Sequence, residues 1–299
     1  MTAAVSLSRS RNAWAPTPAL RHRLGTSLLL APGIGLLGLA MAIPIGQLVL
    51  GSFDLAGIGT AGAFTLAHYV EVLTNPLLRD SLVFSLKVAL ATAALSTAAA
   101  ALFATLLMIE LPGKRFLALL YKVPLVIPSV VAAFLVVTMI GPGGMAARAF
   151  SHFGTAWPQL IHDRQGIGVI IVLLWHYVPI STLIVTAVIV SVPADVIDAA
   201  RTLGAPPRVV VGSIILPLTA PGLSAAALIT FIDSFGAYAI PSLIGPPHPQ
   251  AVAVMMTREF LQRAHWGVAS ALGMLMCLTT VVVLFFYYRL LLRLRRSRA

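Results

Sequence analysis

The sequence predicts an all-α integral membrane protein of six transmembrane helices with both termini in the cytoplasm, and three observations carry that expectation. Of the 299 residues, 59% are hydrophobic and only 10% are charged, against roughly 25% charged in an ordinary soluble domain. So few charges cannot clothe a globule of this size, so most of the surface must face lipid. Six apolar runs, near 25–50, 82–109, 116–140, 167–192, 218–245 and 267–292, reach the roughly 20 residues that cross about 30 Å of hydrocarbon. The basic residues are also unevenly placed. Thirteen of the 20 lie with the termini and the connections around 114 and 201–208, five (Arg79, Arg148, Arg164, Arg258, Arg263) on the other side, and Lys87 and Lys122 within runs. The richer side is cytoplasmic by the positive-inside rule. The same distribution explains the net charge of +11 without nucleic acid, because the cations flank apolar runs instead of forming a basic surface.

Taken in chain order, residues 1–24 form a basic cytoplasmic tail. The run 25–50 follows arginines and contains Ala40-Met41-Ala42, but it continues through Leu50. That is too long for a signal-peptide core, so an uncleaved membrane anchor is expected. The remaining five runs make a core over 70–292, and 293–299 is a second basic tail. Pro124 and Pro128 in the third run, and Pro221 and Pro241 in the fifth, predict kinked or broken helices there. Prolines interrupt the backbone ladder, and membranes tolerate this where neighbours or a cavity satisfy the freed groups. The single cysteine, Cys277, lies in an apolar run and reads as a small core residue.

The connection between the fourth and fifth runs, 193–217, has a helical pattern of its own. Pro193 suits a first helical turn, and Asp195 and Asp198 favour the positive end of the helix dipole. Gly204 can take the left-handed stop conformation, and Pro206 and Pro207 prevent the helix from continuing. The reading is two short helices joined by a turn. A connection this long with its own structure is more than a tether, so a partner is expected to bind it.

This stretch resembles the EAA loop of type I ABC importer permeases, the MetI-like binding-protein-dependent superfamily. The pattern is an acid, two alanines, three residues, glycine, nine residues, then Ile-x-Leu-Pro. Asp198, Ala199, Ala200, Gly204, Ile214, Leu216 and Pro217 occupy those positions without a gap. The departure is Asp for the usual Glu at 198, a carboxylate of shorter reach. The resemblance implies that the loop is a coupling helix seated on a cytoplasmic ABC ATPase dimer. It also implies a second, homologous permease subunit, different or identical, and an extracytoplasmic substrate-binding protein. No cofactor is expected on this chain; ATP and Mg would sit on the partner subunits.

The chain itself does not read as an enzyme. Its only Gly-Lys pair, Gly113-Lys114, precedes Arg115 and lacks the earlier glycine of a phosphate-binding loop. The seven histidines show no metal-ligand spacing. An ion-coupled secondary transporter would need no ATPase, but it would leave the loop's spacing unexplained.

Ionisable groups inside spans are costly and point to function. Asp233 lies about 22 Å along its run by helix rise, in the outer half to middle of the membrane. His176 and Lys87 fall in the same zone, and the three, with Tyr238, are the candidate substrate-pathway residues. A structural ion pair or helix hydrogen bond for Asp233, packing for His176, and snorkelling for Lys87 are the alternatives.

Leu111-Pro-Gly-Lys-Arg115, Val123-Pro-Leu-Val-Ile-Pro128, Phe231-Ile-Asp-Ser-Phe-Gly236-Ala-Tyr-Ala-Ile-Pro241 and His265-Trp-Gly-Val-Ala-Ser-Ala-Leu272 are similar to the spermidine/putrescine permease group. That similarity implies a polyamine cargo; phosphonate, ferric iron, thiamine and sulfate importers share the pattern.

Overall fold

The computed structural model describes residues 18–55, 62–108, 112–155 and 157–296, all helix, turn or irregular chain. The helices are α1 Pro18–Ser52, α2 Ala67–Thr74, α3 Pro76–Met108, α4 Lys114–Leu120, α5 Ser129–Ile140, α6 Met145–Ser151 and α7 Ile167–Val190. They continue with α8 Ala194–Thr202, α9 Pro207–Val209, α10 Leu216–Phe235, α11 Ala239–Ile244, α12 Val252–Leu261 and α13 Trp266–Arg296. Among the described residues, six stretches are long and apolar enough to cross a membrane: Leu29–Ser52, Pro76–Met108, Ser129–Ser151, Ile167–Val190, Pro207–Phe235 and Trp266–Arg289. The chain divides into two compact units, 1–48 and 49–299. In the first, α1 begins at Pro18, so helix reaches into the stretch expected as basic tail; residues 1–17 and 297–299 of the two expected tails lie outside the described residues.

Two spans differ from expectation. The third was expected over 116–140 but runs over Ser129–Ser151, and 116–126 is divided between α4 and a 3₁₀ turn at Val123–Val126. Ile127 and Pro128 are extended, with ψ of 122° and 144°. A residue before proline avoids the helical region, so the chain cannot pass helically from one half into the other. The fifth span ends at Phe235, not near 245, because the helix stops at Gly236 and restarts only at Ala239. Pro179 and Pro221 sit inside α7 and α10 without ending them.

The second unit is built on α3, α7 and α10. Apolar contact gains little in lipid, so membrane helices associate through close approach of small residues and through hydroxyl bonds. Ala89, Ala93, Ala100 and Ala104 of α3 are buried. Gly222 of α10 lies so close to Val188 of α7 that a Cβ there would stand 2.7 Å from its Cγ2. Buried Ser181 and Thr230 share a 3.0 Å hydroxyl bond between the same two helices.

At one end of the bundle Ala100, Ala104, Val185, Ile189, Ile197, Val210 and Ile215 form a cluster under α8. At the opposite end Phe84 and Val88 pack with Val169, Val172 and Ile244. Leu78 and Ala89 also pack there with Phe231, Val252 and Leu272. Cys277 is exposed on α13 and not in the core. When the surface is itself apolar, apolar surroundings in sequence no longer imply burial.

Candidate functional site

The segment after α7 turns through Pro193, extended at ψ 131°, into α8. Only one side of α8 is anchored. Ile197 is buried and Ala200 half-buried against the cluster formed with α3, α7 and α10. Its end is a Schellman motif: Gly204 N–H donates to the Arg201 carbonyl at 2.9 Å and Ala205 N–H to the Ala200 carbonyl at 3.0 Å. This closure requires a left-handed residue at 204, and Gly204 has φ +81°. Ala200 and Ala205 both pack on the same cluster, the apolar contact that accompanies such a cap. Pro206 is extended and Pro207 opens the next helix.

The second of the two expected short helices is therefore the start of the fifth span. α9 passes through a π-helical stretch at Val210–Ile215 into α10. The loosened winding ends just before Pro217, which has no N–H to hold a regular turn. Ile214 is half-buried here, and Leu216 and Pro217 are exposed on the first turn of α10.

The motif residues thus divide into two groups. Ile214, Leu216 and Pro217 belong to the base of a span. Asp198, Ala199 and Gly204 are exposed on α8 and its cap, with Ala200 between cap and core. The Asp198 carboxylate stands 3.5 Å from Arg201 Nη1. A Cβ on Gly204 would meet nothing within 4 Å. Beside them Leu203 is 87% exposed. Sequence reasoning passed over it as one of three spacer residues; its signal was a large aliphatic residue directly before the helix-stopping glycine.

The polar residues of the spans are less closely grouped. Asp233 is exposed on α10, near enough to interact electrostatically with His176 and Tyr177 of α7. The His176 ring meets Tyr177 edge-on at 5.2 Å, and its Nδ1 is buried without a hydrogen-bond partner among the described residues. Tyr177 was not singled out from the sequence, although it is the neighbour of His176. Tyr238 is half-exposed in the turn after α10. Lys87 stands apart from them, lining a cavity at the end of the bundle opposite α8 with Asp80, Arg164 and His248. Among the described residues no group of three His, Cys, Asp or Glu stands close enough to hold a metal ion.

Comparison with known proteins adds to this geometry. The profile of the family described as "Binding-protein-dependent transport system inner membrane component" matches residues 96–297. YdcU, an inner membrane ABC transporter permease protein of Escherichia coli (strain K12), is 27% identical over 209 residues, 66% of each chain. That is slightly less than two thirds of that relative's length. UgpA, an sn-glycerol-3-phosphate transport system permease protein of Brucella suis biovar 1 (strain 1330), is 29% identical over 216 residues, 70% of this chain and 74% of that one. PotB, a spermidine/putrescine transport system permease protein of Haemophilus influenzae (strain ATCC 51907 / DSM 11121 / KW20 / Rd), is 31% identical over 105 residues, 35% of this chain and 37% of that one. The relatives thus do not single out the polyamine group. A chain of a solved bacterial alginate ABC transporter, in complex with an alginate pentasaccharide-bound periplasmic protein, superposes with a TM-score of 0.75. It covers 89% of this chain and 93% of that chain at 19% identity, a likeness of fold. With six apolar helices and a family profile over most of its core, this chain belongs to the binding-protein-dependent transport system inner membrane components, as a multi-pass permease subunit of an ABC transporter.

Proposed function

We propose that this chain forms part of the membrane path of an ATP-driven importer and that α8 with its glycine cap is where a separate ATPase subunit docks. The observation that carries the reading is the construction of α8: anchored by Ile197 and Ala200, it presents Asp198, Ala199 and Leu203 to solvent. Exposed Leu203 stands directly beside the motif residues Asp198, Ala199 and Gly204, and that grouping on one helix end supports a partner surface there. On this reading the α8 end faces the cytoplasm, and with six spans both termini would lie on that side too. ATP and Mg belong to the partner, and its closure would pull on α8. Because the base of α8 shares a cluster with α3, α7 and α10, that pull would rock these helices and alternate access to a site within the membrane. A second permease subunit and an extracytoplasmic binding protein complete the importer.

The space around Gly204 is open within the chain, which gives a clean test. Gly204→Ala and Gly204→Trp both carry the backbone cost of a left-handed residue, about 1–2 kcal/mol. Only Trp adds bulk where the ATPase would sit. In the assembled complex the Ala variant should retain most ATP-driven uptake, and the Trp variant should lose it while still inserting in the membrane. Equal uptake by the two variants would sink the docking assignment.

For the cargo, Asp233 supports a small polar cation, and a polyamine is the first to test. Asp233 lies near the end of α10 but only one turn beyond Thr230, which bonds Ser181 in the middle of α7; an exposed carboxylate at that level is costly against lipid, so a water-lined path or a partner subunit suits it better. Asp233→Asn should reduce uptake with assembly intact. The ligand held tightly by the binding protein that associates with the complex decides the class. Spermidine or putrescine would uphold the polyamine reading, and a phosphate ester or ferric ion would overturn it.

A further inference from the structure

The end of the bundle opposite α8 carries a cavity of about 420 Å³ between the first turns of α3, the turn before α7 and the loop before α12. Asp80, Phe84, Lys87, Arg164, Gln165 and His248 line it. The charges do not balance. The Asp80 carboxylate is engaged by Arg79, 3.3 Å away, and lies 3.8 Å from His248 Nε2. Lys87 and Arg164 have no anionic partner among the described residues, yet both face the same space. Two cations in one cavity repel each other unless an anion lies between them.

The level of the cavity is also defined. Gly166 packs so tightly on α3 that a Cβ there would stand 2.8 Å from the Phe84 ring and 3.0 Å from Val88. Lys87 is therefore level with the residues just before Ile167, where α7 begins. A lysine snorkelling on its own would seek the nearest water. Instead it shares a recess at the membrane boundary with Arg164 and with Gln165, whose amide supplies further donors.

We propose that this cavity binds an anionic oxygen group, a phosphate or carboxylate, held between Lys87 and Arg164. The group can arrive on a phospholipid headgroup or on a small solute, since both present the same oxygens at this depth. The proposal is independent of the cargo assignment. A bound anion would neutralise two cations beside the route of a polycation, and it would be part of the route of an anionic solute.

The test uses the complex as it purifies, with two probes. One is radiolabelled inorganic phosphate, measured on complex in a neutral detergent. The other is reconstitution into nanodiscs of phosphatidylcholine with 20% phosphatidylglycerol as a chosen composition, read by native mass spectrometry of retained lipid. The variants are Lys87→Gln, Arg164→Gln and both together, with Lys87→Arg as the conservative replacement. Arg148→Gln serves as a control at the same end but outside the cavity. With about 1 kcal/mol for each cation, affinity for the bound probe should fall about five-fold for each single variant and about twenty-five-fold for the double. Lys87→Arg and Arg148→Gln should bind as the parent does. Phosphate binding alone assigns the site to a solute, and phosphatidylglycerol retention alone assigns it to lipid. If the parent complex holds neither probe, the proposal fails; it fails equally if the double variant assembles and binds both as the parent does. Should neither probe bind while the double variant loses affinity for the binding protein, the two cations serve a protein contact and the anion site is refuted.

Discussion

The two ends of the helical bundle are built in opposite ways. At the α8 end the structure holds its surface outward: Leu203 is almost fully exposed, the Asp198–Arg201 pair lies in solvent, and nothing surrounds Gly204. At the opposite end, outside the Lys87–Arg164 cavity, buried and capping carboxylates are tied to their neighbours. Glu259 of α12 is only 1% exposed, with its carboxylate 2.8 Å from Arg263 Nη1 and 3.1 Å from His265 Nδ1. His265 also returns a backbone N–H to the Glu259 carbonyl at 2.9 Å. Asp163 caps α7 with both oxygens, accepting from Ile167 N at 2.7 Å and Gly168 N at 3.0 Å. One end is stitched to itself and the other is presented. If α8 is the docking site proposed above, a lever would need both, because force applied at a handle moves helices only if their far ends hold together.

The largest effect on stability should come from opening the stitched end. Replacing both Arg263 and His265 with alanine leaves a carboxylate buried without a counter-charge, and breaking a buried pair in this way costs about 3–5 kcal/mol. Glu259→Gln removes the charge together with its need for partners, so it should cost about 1–2 kcal/mol. Thermal unfolding of the purified complex in detergent would rank the two. If the double alanine variant unfolds no earlier than Glu259→Gln, this end is not stitched by charge and the contrast with α8 is lost.

Leu203→Asp probes the presented end. The side chain is exposed, so stability should change by less than about 0.5 kcal/mol, as for surface substitutions generally. A buried anchor at a protein interface commonly costs 2 kcal/mol or more when lost. Co-purification of the ATPase should therefore fall more than about ten-fold, the equivalent of 1.4 kcal/mol, and uptake with it. A drop in unfolding temperature with the ATPase still bound would show that Leu203 is structural, and the two ends would then differ less than their geometry implies.

Much of this contrast could not be read from the sequence. Span number was legible because hydropathy is additive along the chain. The turn at Gly204 was legible because a Schellman cap leaves a local mark: glycine after a helical pattern, with prolines behind it. The third and fifth spans shifted because Pro124, Pro128 and Gly236 mark where a helix breaks, while packing decides which side of the break becomes the span. Depth along a helix follows from residue count, so Asp233 and His176 could be placed at similar levels. Their nearness depends on how α7 and α10 rotate against each other, and no residue pattern states that. Leu203 and Glu259 illustrate the same limit in opposite directions. An aliphatic residue reads as buried and an acid between two apolar runs reads as solvated, yet the fold exposes the leucine and buries the glutamate on α12. Exposure belongs to the assembled bundle, and composition along the chain does not fix it.

The smallest expected effect is at Asp198, and it separates stability from coupling most cleanly. Its pairing with Arg201 is exposed on both sides, and such pairs contribute about 0–1 kcal/mol and weaken with salt. A double-mutant cycle of Asp198→Ala and Arg201→Ala should therefore yield less than about 0.5 kcal/mol of interaction in unfolding. At high salt that value should approach zero. If the carboxylate serves a partner, Asp198→Ala will lower uptake far beyond this change in stability. Asp198→Glu, which restores the usual residue of the motif and its longer reach, should import at least as well as the parent. A cycle energy above about 2 kcal/mol, typical of contacting residues in a coupled network, would mean that the pair braces α8 from within. The carboxylate would then belong with the Glu259 clamp as part of the scaffold, and docking would rest on Leu203 and the open surface at Gly204 alone.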